Sequence, residues 1–311
     1  MFGSSTTQLF RNLSFTLNFN EGDEIIISQI DHEANIASWV DLAARQKLTL
    51  KWWKPHSLVN PRLCATDLKK LLSPRTRLVT CTHASNILGS IHDIPSIAEA
   101  VHSVPGALLC VDGVAYAPHR PIDVKAFGVD FYCFSWYKVY GPHCSMLYAS
   151  KDAQKSMRSL GHFFNPKDSL KDKLCLAAGL YELVQSIPAV VKYLQTIGGK
   201  SWQSVIEHEG HLQRVLLQYL NSRPEVTIIG DTSDSPNHRV ATVSFTVKGW
   251  NPRDFVEAVE KRSNCGFRWG SFYSNRLVHE LLGLPEEGVV RISMVHYSTG
   301  KLFIITMQLF C

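Results

Sequence analysis

Short apolar runs alternate with amphipathic stretches along the first half of the chain. The runs rich in Ile, Val, Leu and Phe predict buried strands at residues 25–28, 48–53, 77–81, 107–111 and 130–134. Between these runs, apolar residues recur at the spacing of one helix face and predict helices at residues 34–46, 67–72 and 94–102. Strands that alternate with helices are typical of a parallel, doubly wound α/β sheet.

This alternation fades after about residue 150, and a different pattern follows. Helical periodicity extends over residues 174–194, where Pro188 marks a kink or a helix start, and over 204–220. Strands at 226–229 and 240–247 and a helix from 251 to about 261 come next. We therefore predict a large domain over residues 1–195, including a connecting helix, and a small α+β domain over 196–311. The apolar stretch 301–311 resembles an edge strand or an unusual chain end.

Composition narrows the class of protein without naming one. The chain has 311 residues, of which 45% are hydrophobic and 19% charged, as in an ordinary globular protein. Its net charge of +5 is spread along the chain, and the basic clusters are too short to suggest nucleic-acid binding. No apolar run approaches the roughly 18 residues of a membrane span, and no secretory signal is visible. The eight cysteines form no CxxC pair, so we expect free thiols in a cytoplasmic protein without a membrane partner.

Two local motifs suggest metal or nucleotide binding but fail on spacing. The segment EHEGH at 207–211 has its histidines three residues apart instead of the four of a zinc-protease helix, so we expect a solvated helix face. The segment GGKS at 198–201 resembles a phosphate loop, but Leu194 stands where the first glycine should be and no strand precedes it. The sequence therefore predicts neither a metal site nor a nucleotide site.

Reactive side chains follow the predicted strands directly. In an open parallel sheet, ligands bind at the carboxyl ends of the strands. The segments at these positions are Asp31 to Asn35, Thr82 to Asn86, Asp112-Gly113 and Ser135 to Lys138. We expect them to meet at one edge of the sheet.

These residues suit pyridoxal 5'-phosphate (PLP). Lys138 follows an apolar strand and precedes a turn, where a partly desolvated amine could form the Schiff base with the cofactor. Asp112 ends the most apolar strand, where a carboxylate would keep the cofactor's ring nitrogen protonated. A helix that begins after the segment GSSTT at residues 3–7 would offer its N-terminus and hydroxyls to the phosphate.

The same segments resemble the class V aminotransferase superfamily of fold-type I PLP enzymes, and more narrowly its cysteine desulfurase-like subfamily. The resemblance runs from residue 3 to about 298 and is carried by residues 22–39, 73–91, 111–143 and 289–299. Asp112 stands 26 residues before Lys138, the separation that such enzymes show between ring-nitrogen aspartate and Schiff-base lysine. The resemblance implies a mostly parallel sheet with a smaller C-terminal domain. It also implies a homodimer whose active sites lie between the subunits.

The resemblance also implies roles for individual residues around the cofactor. His32 would stack on the ring, Asn86 would approach the ring hydroxyl, and Ser135 would contact the phosphate. Tyr137 replaces the histidine that precedes the lysine in desulfurases, as in the narrower subfamily. Three residues at the start of the chain, with a register uncertain by one, would surround the phosphate: Ser4, Ser5 and Thr6.

Two arginines would complete the substrate site. Arg291 would bind the carboxylate of a small amino acid through its planar guanidinium. Arg268 matches a second arginine at the mouth of such sites. Structural roles remain as alternatives, since His32 could be a helix-capping or core histidine and Arg291 could be a structural ion-pair partner.

The sequence also departs from the desulfurase pattern. Desulfurases carry a nucleophilic loop cysteine shortly after the second arginine, but none lies between Arg268 and Arg291, and Cys265 precedes Arg268. Ala115 replaces a side chain that hydrogen-bonds toward the ring hydroxyl, and Ala177-Ala178 replaces a Gly-Thr pair that reaches the neighbouring subunit's phosphate. The chain also opens almost on the phosphate loop, so an N-terminal arm is expected to be missing.

Two functions follow from this pattern. The first is a PLP enzyme that acts at Cα of a small amino acid by β-elimination, transamination, racemisation or desulfuration, with desulfuration doubtful. The second is a fold-type I protein that has lost catalysis and serves as a binding or regulatory partner.

Overall fold

A seven-stranded sheet forms the centre of the molecule. The computed structural model describes residues 1–174, 179–196, 202–263 and 266–299. In spatial order the strands are β1 (Phe2–Gly3), β7 (Ser145–Ala149), β6 (Phe131–Ser135), β5 (Leu108–Asp112), β4 (Thr76–Thr82), β2 (Glu24–Ser28) and β3 (Thr49–Trp53). Strands β3, β2, β4, β5 and β6 run parallel, whereas β7 is antiparallel to both of its neighbours.

Helices cover the two faces of this sheet. They are α1 (Thr6–Thr16), α2 (Ala37–Gln46), α3 (Ala65–Lys69), α4 (Ile94–His102), α5 (Lys151–Lys155), α6 (Leu170–Leu174) and α7 (Tyr181–Thr196). Side chains of a strand point alternately to opposite faces, so Ile25 and Ile27 enter the core beneath α1 and α2, while Ile26 enters the core beneath α4. All five residues of β2 are buried, which explains why the three central residues are all isoleucine and do not alternate with polar residues.

A second, antiparallel sheet follows in the C-terminal part. Its order is β10 (Arg268–Gly270), β11 (Val289–Ser293), β9 (Thr242–Val247) and β8 (Val226–Ile229). The helices α8 (Trp202–Asn221) and α9 (Pro252–Arg262) pack on it, with Leu216, Phe245 and Phe255 in a shared core. The large parallel sheet and this smaller α+β unit confirm the predicted fold class. The boundary at residue 195 stays a prediction.

The structure differs from the predicted elements at several places. The predicted helix 34–46 is interrupted, because His32 caps a short 3₁₀ turn at Glu33–Asn35 before α2 begins. Strands β7 and β11 lie where no strand was predicted, and Pro188 lies inside α7. The segment 301–311, the pair Ala177-Ala178, the segment 198–201 and Cys265 lie outside the described residues.

Two further sequence expectations concern thiols and membrane spans. The five cysteines that the structure describes are free, as predicted, and four of them are buried. Within the described ranges, none of the helices combines the length and the apolar character that a membrane crossing requires.

One turn joins the two sheets. The turn at residues 85–91, between β4 and α4, lies against β9 and the residues just before it. Val240 N donates to Gly89 O at 2.8 Å, and Ser244 Oγ donates to Ile87 O at 2.6 Å. The fully buried Arg239 also donates to Leu88 O at 3.2 Å. Gly89 has φ +72° and lies so near β9 that a Cβ atom there would be 2.4 Å from Thr242 O. Only glycine fits both the backbone angle and the space.

Candidate active site

A cleft opens to solvent at the carboxyl ends of the central parallel strands, with about 470 Å³ of empty space that includes part of the solvent. This is where the sequence analysis expected the reactive residues to meet. The cleft is lined by Ser5, Thr6, Thr7, His32, Ala34, Thr82, Ala84, Asn86, Asp112, Val114, Ala115, Ser135, Tyr137 and Lys138. The strands β2, β4, β5 and β6 and the start of α1 therefore all contribute to one site.

Asp112 and Lys138 form a coupled acid and base in this cleft. Asp112 is buried at the end of β5 and accepts a hydrogen bond from Val114 N at 2.8 Å. Burial raises the pKa of Asp112 to about 6, while the Lys138 ammonium opposes that rise. The pKa of Lys138 is lowered by burial of its ammonium and by the charge of Arg291, against the attraction of Asp112. Both shifts make the carboxyl more basic and the amine less basic than in water.

His32 contacts the cleft and caps a turn at the same time. Its Nδ1 accepts a hydrogen bond from Ala34 N at 3.0 Å. This ring nitrogen therefore has the capping role that the sequence left open as an alternative. Burial, with the charges of Lys138 and Arg291, lowers the pKa of His32 to about 4. The imidazole is therefore neutral near pH 7 and offers a flat, uncharged ring to the cleft.

Asp31, immediately before His32, is a buried acid that was expected at this edge of the sheet but had no predicted role. It is fully buried, and its Oδ2 accepts from Asn35 Nδ2 at 2.7 Å. Burial and the neighbouring Asp112 raise the pKa of Asp31 to about 8. It is thus protonated near neutral pH, which leaves the charge of Asp112 as the single negative charge of this pair.

Hydroxyl groups gather at the N-terminus of α1. Ser5 caps the helix, its Oγ accepting from Gln8 N at 3.1 Å. Thr6 Oγ1 and Ser135 Oγ lie 2.7 Å apart, and Ser135 Oγ lies 2.7 Å from Ser145 Oγ. A helix N-terminus with hydroxyls suits an anionic group such as a phosphate. Ser145 was missed because it belongs to the unpredicted strand β7.

Asn86 links the cleft to the predicted substrate arginine. Its backbone O accepts from Arg291 Nη1 at 3.0 Å, and its Nδ2 donates to Phe272 O at 3.0 Å. The Arg291 guanidinium carbon lies 3.7 Å from the centre of the Phe272 ring, a cation–π contact that the sequence analysis did not foresee. Burial lowers the pKa of Arg291 to about 10, so it remains charged at neutral pH.

Some predicted residues lie elsewhere. Ser4 does not line the cleft; its Oγ donates to Gln8 Oε1 at 2.9 Å, and Thr7 lines the cleft instead. Arg268 is exposed and ion-paired with Glu260 at 3.6 Å, outside the lining of the cleft. Tyr137 lines the cleft, stacked on His143.

In the folded chain, Glu209 and His208 of the EHEGH segment have separate partners. Glu209 is buried and lies 3.0 Å from His119 Nδ1, with Arg120 Nη1 at 3.4 Å. His208 points away and lies 2.9 Å from Ser298 O. The segment was expected to be a solvated face, but Glu209 is a buried ion-pair partner that joins α8 to the turn after Tyr116.

The arrangement fits PLP on its chemistry. The cleft is lined by the hydroxyl-bearing N-terminus of a helix, by a buried carboxylate and by a lysine with a lowered pKa. These are the groups that hold the phosphate, the ring nitrogen and the carbonyl carbon of this cofactor. Ala115, by contrast, offers the ring hydroxyl no hydrogen bond.

Comparison with known proteins supports the assignment of a PLP site. The family model described as Aminotransferase class-V matches residues 1–301. The aminotransferase-like protein FGM3 of Gibberella zeae is 56% identical over 297 residues, which cover 96% of this chain and 74% of that protein. The cysteine desulfurase-like protein ustD of Aspergillus flavus is 43% identical over 307 residues, or 96% of this chain and 70% of that protein.

Solved structures show the same fold. The cysteine desulfurase CsdA of Escherichia coli superposes with a TM-score of 0.87 at 22% identity, over 100% of this chain and 77% of that one. The protein C-DES, solved as a mutant with glycine covalently linked to its PLP cofactor, has a TM-score of 0.81 at 20% identity, over 100% of this chain and 79% of that one.

The fold and the site thus define a fold-type I protein that binds PLP. The chain belongs to the class-V aminotransferase family and is a PLP-dependent enzyme. The family, the cofactor and the fold inferred from the sequence are confirmed.

Proposed function

We propose that this enzyme acts at Cα of a small amino acid, with Lys138 holding the cofactor and moving the proton at that carbon. The observation that carries this proposal is the shared cleft of Lys138, Asp112 and the hydroxyl-lined start of α1. When bound, PLP withdraws electrons from the substrate's Cα and so lowers the barrier to breaking a bond there. The protein residues supply position, charge and proton transfer.

Lys138 is suited to accept and return a proton. Its lowered pKa makes the neutral amine more accessible than that of a surface lysine. Asp112 is buried and lines the cleft, where its charge would keep the ring nitrogen protonated. The neutral His32 would stack on the ring without competing with Lys138 for protons.

Arg291 would bind the substrate carboxylate. Its guanidinium is held in one plane by the Phe272 ring and by Asn86 O, so the fork is already oriented before substrate arrives. Arg268 is exposed on β10, the strand that pairs with β11, and would act only at the mouth of the site.

Cysteine-based desulfuration does not fit this cleft. Among the described residues, none of the cleft-lining side chains is a cysteine. Where a nucleophilic loop cysteine is expected after Arg268, the chain carries Phe272 and Tyr273. We therefore expect β-elimination, transamination or racemisation instead of thiolate attack on a substrate sulfur.

The test is the absorbance of the PLP-loaded protein with and without a panel of amino acids. Wild-type protein is expected to show the visible band of lysine-bound cofactor, and at least one amino acid should change it. Lys138→Ala is expected to lose the band. Lys155→Ala, at an exposed lysine far from the cleft, is the matched control and should keep it. A chain that stays colourless with added cofactor would contradict the proposal.

A second candidate is a cofactor-binding protein without catalysis. Ala115 favours it, because the residue lines the cleft but gives the cofactor no hydrogen bond. In that case the band would be present and dependent on Lys138, yet no amino acid in the panel would change it or be consumed.

A further inference from the structure

Three metal-ligating side chains meet on the surface, away from the PLP cleft. His56, Cys64 and Asp67 each offer one donor atom, and these three atoms lie within 4.8 Å of one another. None of them lines the cleft. They lie in and just after the irregular loop, residues 54–64, that connects β3 to α3.

We propose that His56, Cys64 and Asp67 bind one Zn²⁺ ion, with water in the fourth position. Zinc takes thiolate, imidazole and carboxylate ligands in a tetrahedron, and bonds of about 2.0–2.3 Å place such ligand atoms roughly 3.5 Å apart. His56 Nδ1 and Asp67 Oδ2 are already 3.2 Å apart. The His56 side chain is exposed and therefore has room to adjust its position relative to the other two ligands.

The local backbone fixes two of the three ligands relative to each other. Cys64 precedes the first turn of α3, and its carbonyl O accepts from Asp67 N and Leu68 N, both at 3.1 Å. The Cys64 side chain makes no capping hydrogen bond, so the thiol is not used to hold the helix. Leu63 and Leu68 are buried on either side of this turn and anchor it in the core.

The two oxygens of Asp67 have separate partners. Lys70 Nζ donates to Oδ1 at 2.8 Å, while Oδ2 faces His56. Outer hydrogen bonds of this kind orient carboxylates that bind metals through one oxygen. Soft thiolate and imidazole ligands beside a single carboxylate favour Zn²⁺ over Mg²⁺ or Ca²⁺, which prefer oxygen ligands throughout.

A bound ion would close the loop at its base. Residues 56 and 64 bracket a segment with one proline, Pro61, and the exposed Leu58 and Val59. Joining its two ends through a metal removes conformations from the unfolded chain, so zinc would hold these apolar residues in a fixed position. A His-x₇-Cys-x₂-Asp spacing lacks the paired cysteines of known zinc motifs, so no sequence pattern indicated this cluster.

The experiment measures metal binding to the PLP-loaded full chain after removal of metals by a chelator. Zn²⁺ titration is expected to give one bound ion per chain. Co²⁺ as a probe is expected to give a thiolate charge-transfer band and intense tetrahedral d–d bands at long wavelength. Cys64→Ser, His56→Ala and Asp67→Asn should each weaken Zn²⁺ binding at least tenfold, whereas His162→Ala, at an exposed histidine elsewhere, should not.

Three results would overturn the proposal. They are the absence of a stoichiometric Zn²⁺ site, a Zn²⁺ affinity that Cys64→Ser leaves unchanged, and a Co²⁺ spectrum without thiolate character. The wild-type Co²⁺ spectrum needs no variant, so it decides the matter even where a substitution disturbs folding. Because the readout is metal binding, it is independent of any reaction in the PLP cleft.

Discussion

Asp31 shows how burial of one carboxyl group ties the stability of the fold to pH. It is fully buried against Asn35 and near Asp112, with its pKa raised to about 8. In the unfolded chain its pKa would be close to 3.9. The folded state therefore keeps a proton that the unfolded chain has lost, over the range from about pH 4 to about pH 8.

This linkage gives the first prediction. The stability that Asp31 contributes is complete below pH 4 and is lost as pH rises through about 8, with a slope of at most ~1.4 kcal/mol per pH unit. Asp112, with a pKa of about 6, adds to the decline only at lower pH. Asp31→Asn should remove the part of the decline between pH 6 and pH 8, measured as the free energy of unfolding in urea.

The control is Asp152→Asn, which removes an exposed carboxylate and should leave the slope unchanged. If wild type and Asp31→Asn show the same pH dependence, Asp31 is ionised in the folded protein and the assignment is wrong.

The residues that sequence reasoning could and could not find differ in one respect. Parallel strands end at or just before five of the predicted residues, and the carboxyl ends of such strands meet at one edge. The five are His32, Asn86, Asp112, Ser135 and Lys138. Ser145, on the antiparallel strand β7, and Phe272, on a loop of the small sheet, reach the same region only through tertiary packing. No local spacing in the sequence reports that packing, and the same holds for His56 and Cys64.

At the scale of elements, the loop between β10 and the π-helix at Arg276–Leu281 is under backbone strain. Phe272 and Tyr273 have φ values of +50° and +60°, in the left-handed region that residues with side chains seldom occupy. Hydrogen bonds hold both residues there, since Phe272 O accepts from Asn86 Nδ2 and Tyr273 O accepts from Glu33 N at 2.8 Å. Strain that surrounding contacts maintain is concentrated at functional sites.

The second prediction concerns the Phe272 ring of this loop. Phe272→Leu removes the cation–π contact to Arg291, worth about 1 kcal/mol, and should raise the amino-acid concentration for half-maximal response about fivefold. Phe272→Tyr keeps an aromatic face and should restore the wild-type value. Cofactor affinity, measured by titration of the apoprotein with PLP, should be the same in all three proteins.

An equal response of wild type and Phe272→Leu would mean that Phe272 does not position Arg291. A loss of cofactor affinity in Phe272→Leu would instead mean that the substitution disturbs the whole site.

At the scale of the whole molecule, the turn at residues 85–91 connects the two sheets. This contact gives the third prediction. Gly89→Ala should destabilise the protein by more than 2 kcal/mol, because the new Cβ would be 2.4 Å from Thr242 O and the backbone angle is unfavourable. Gly106→Ala is the matched control, since Gly106 has φ +78° but no atom within 4 Å of the new Cβ. Gly106→Ala should lower the free energy of unfolding by only about 1 kcal/mol.

Thermal and urea unfolding of both variants distinguish the two contributions. Equal destabilisation of the two variants would show that the unfavourable backbone angle alone explains the loss of stability in each. It would also show that the added Cβ at residue 89 does not clash with β9.

The fourth prediction is a homodimer. The helix α7 leaves Tyr181, Val191 and Tyr193 exposed, and Phe163 and Phe164 are exposed on the loop between α5 and α6. Exposed apolar side chains in such number favour packing against a second copy. Light scattering should give twice the chain mass of 35.0 kDa. Val191→Lys should shift the protein toward the monomer, whereas Gln218→Lys on α8 should not; a wild-type monomer would contradict the prediction.

The hydrogen bond between Arg291 and Asn86 joins residues that are 205 positions apart in the chain. Asp112 and Lys138 are separated by only 26. During synthesis, the groups that receive the cofactor can therefore assemble while the ribosome has still to make the strand that carries the substrate arginine. Contacts between distant parts of a chain also form slowly, so we expect the Arg291 guanidinium, which would bind the substrate carboxylate, to reach its position late in folding. A nascent chain would pass through a stage that can capture pyridoxal phosphate before it can hold an amino acid.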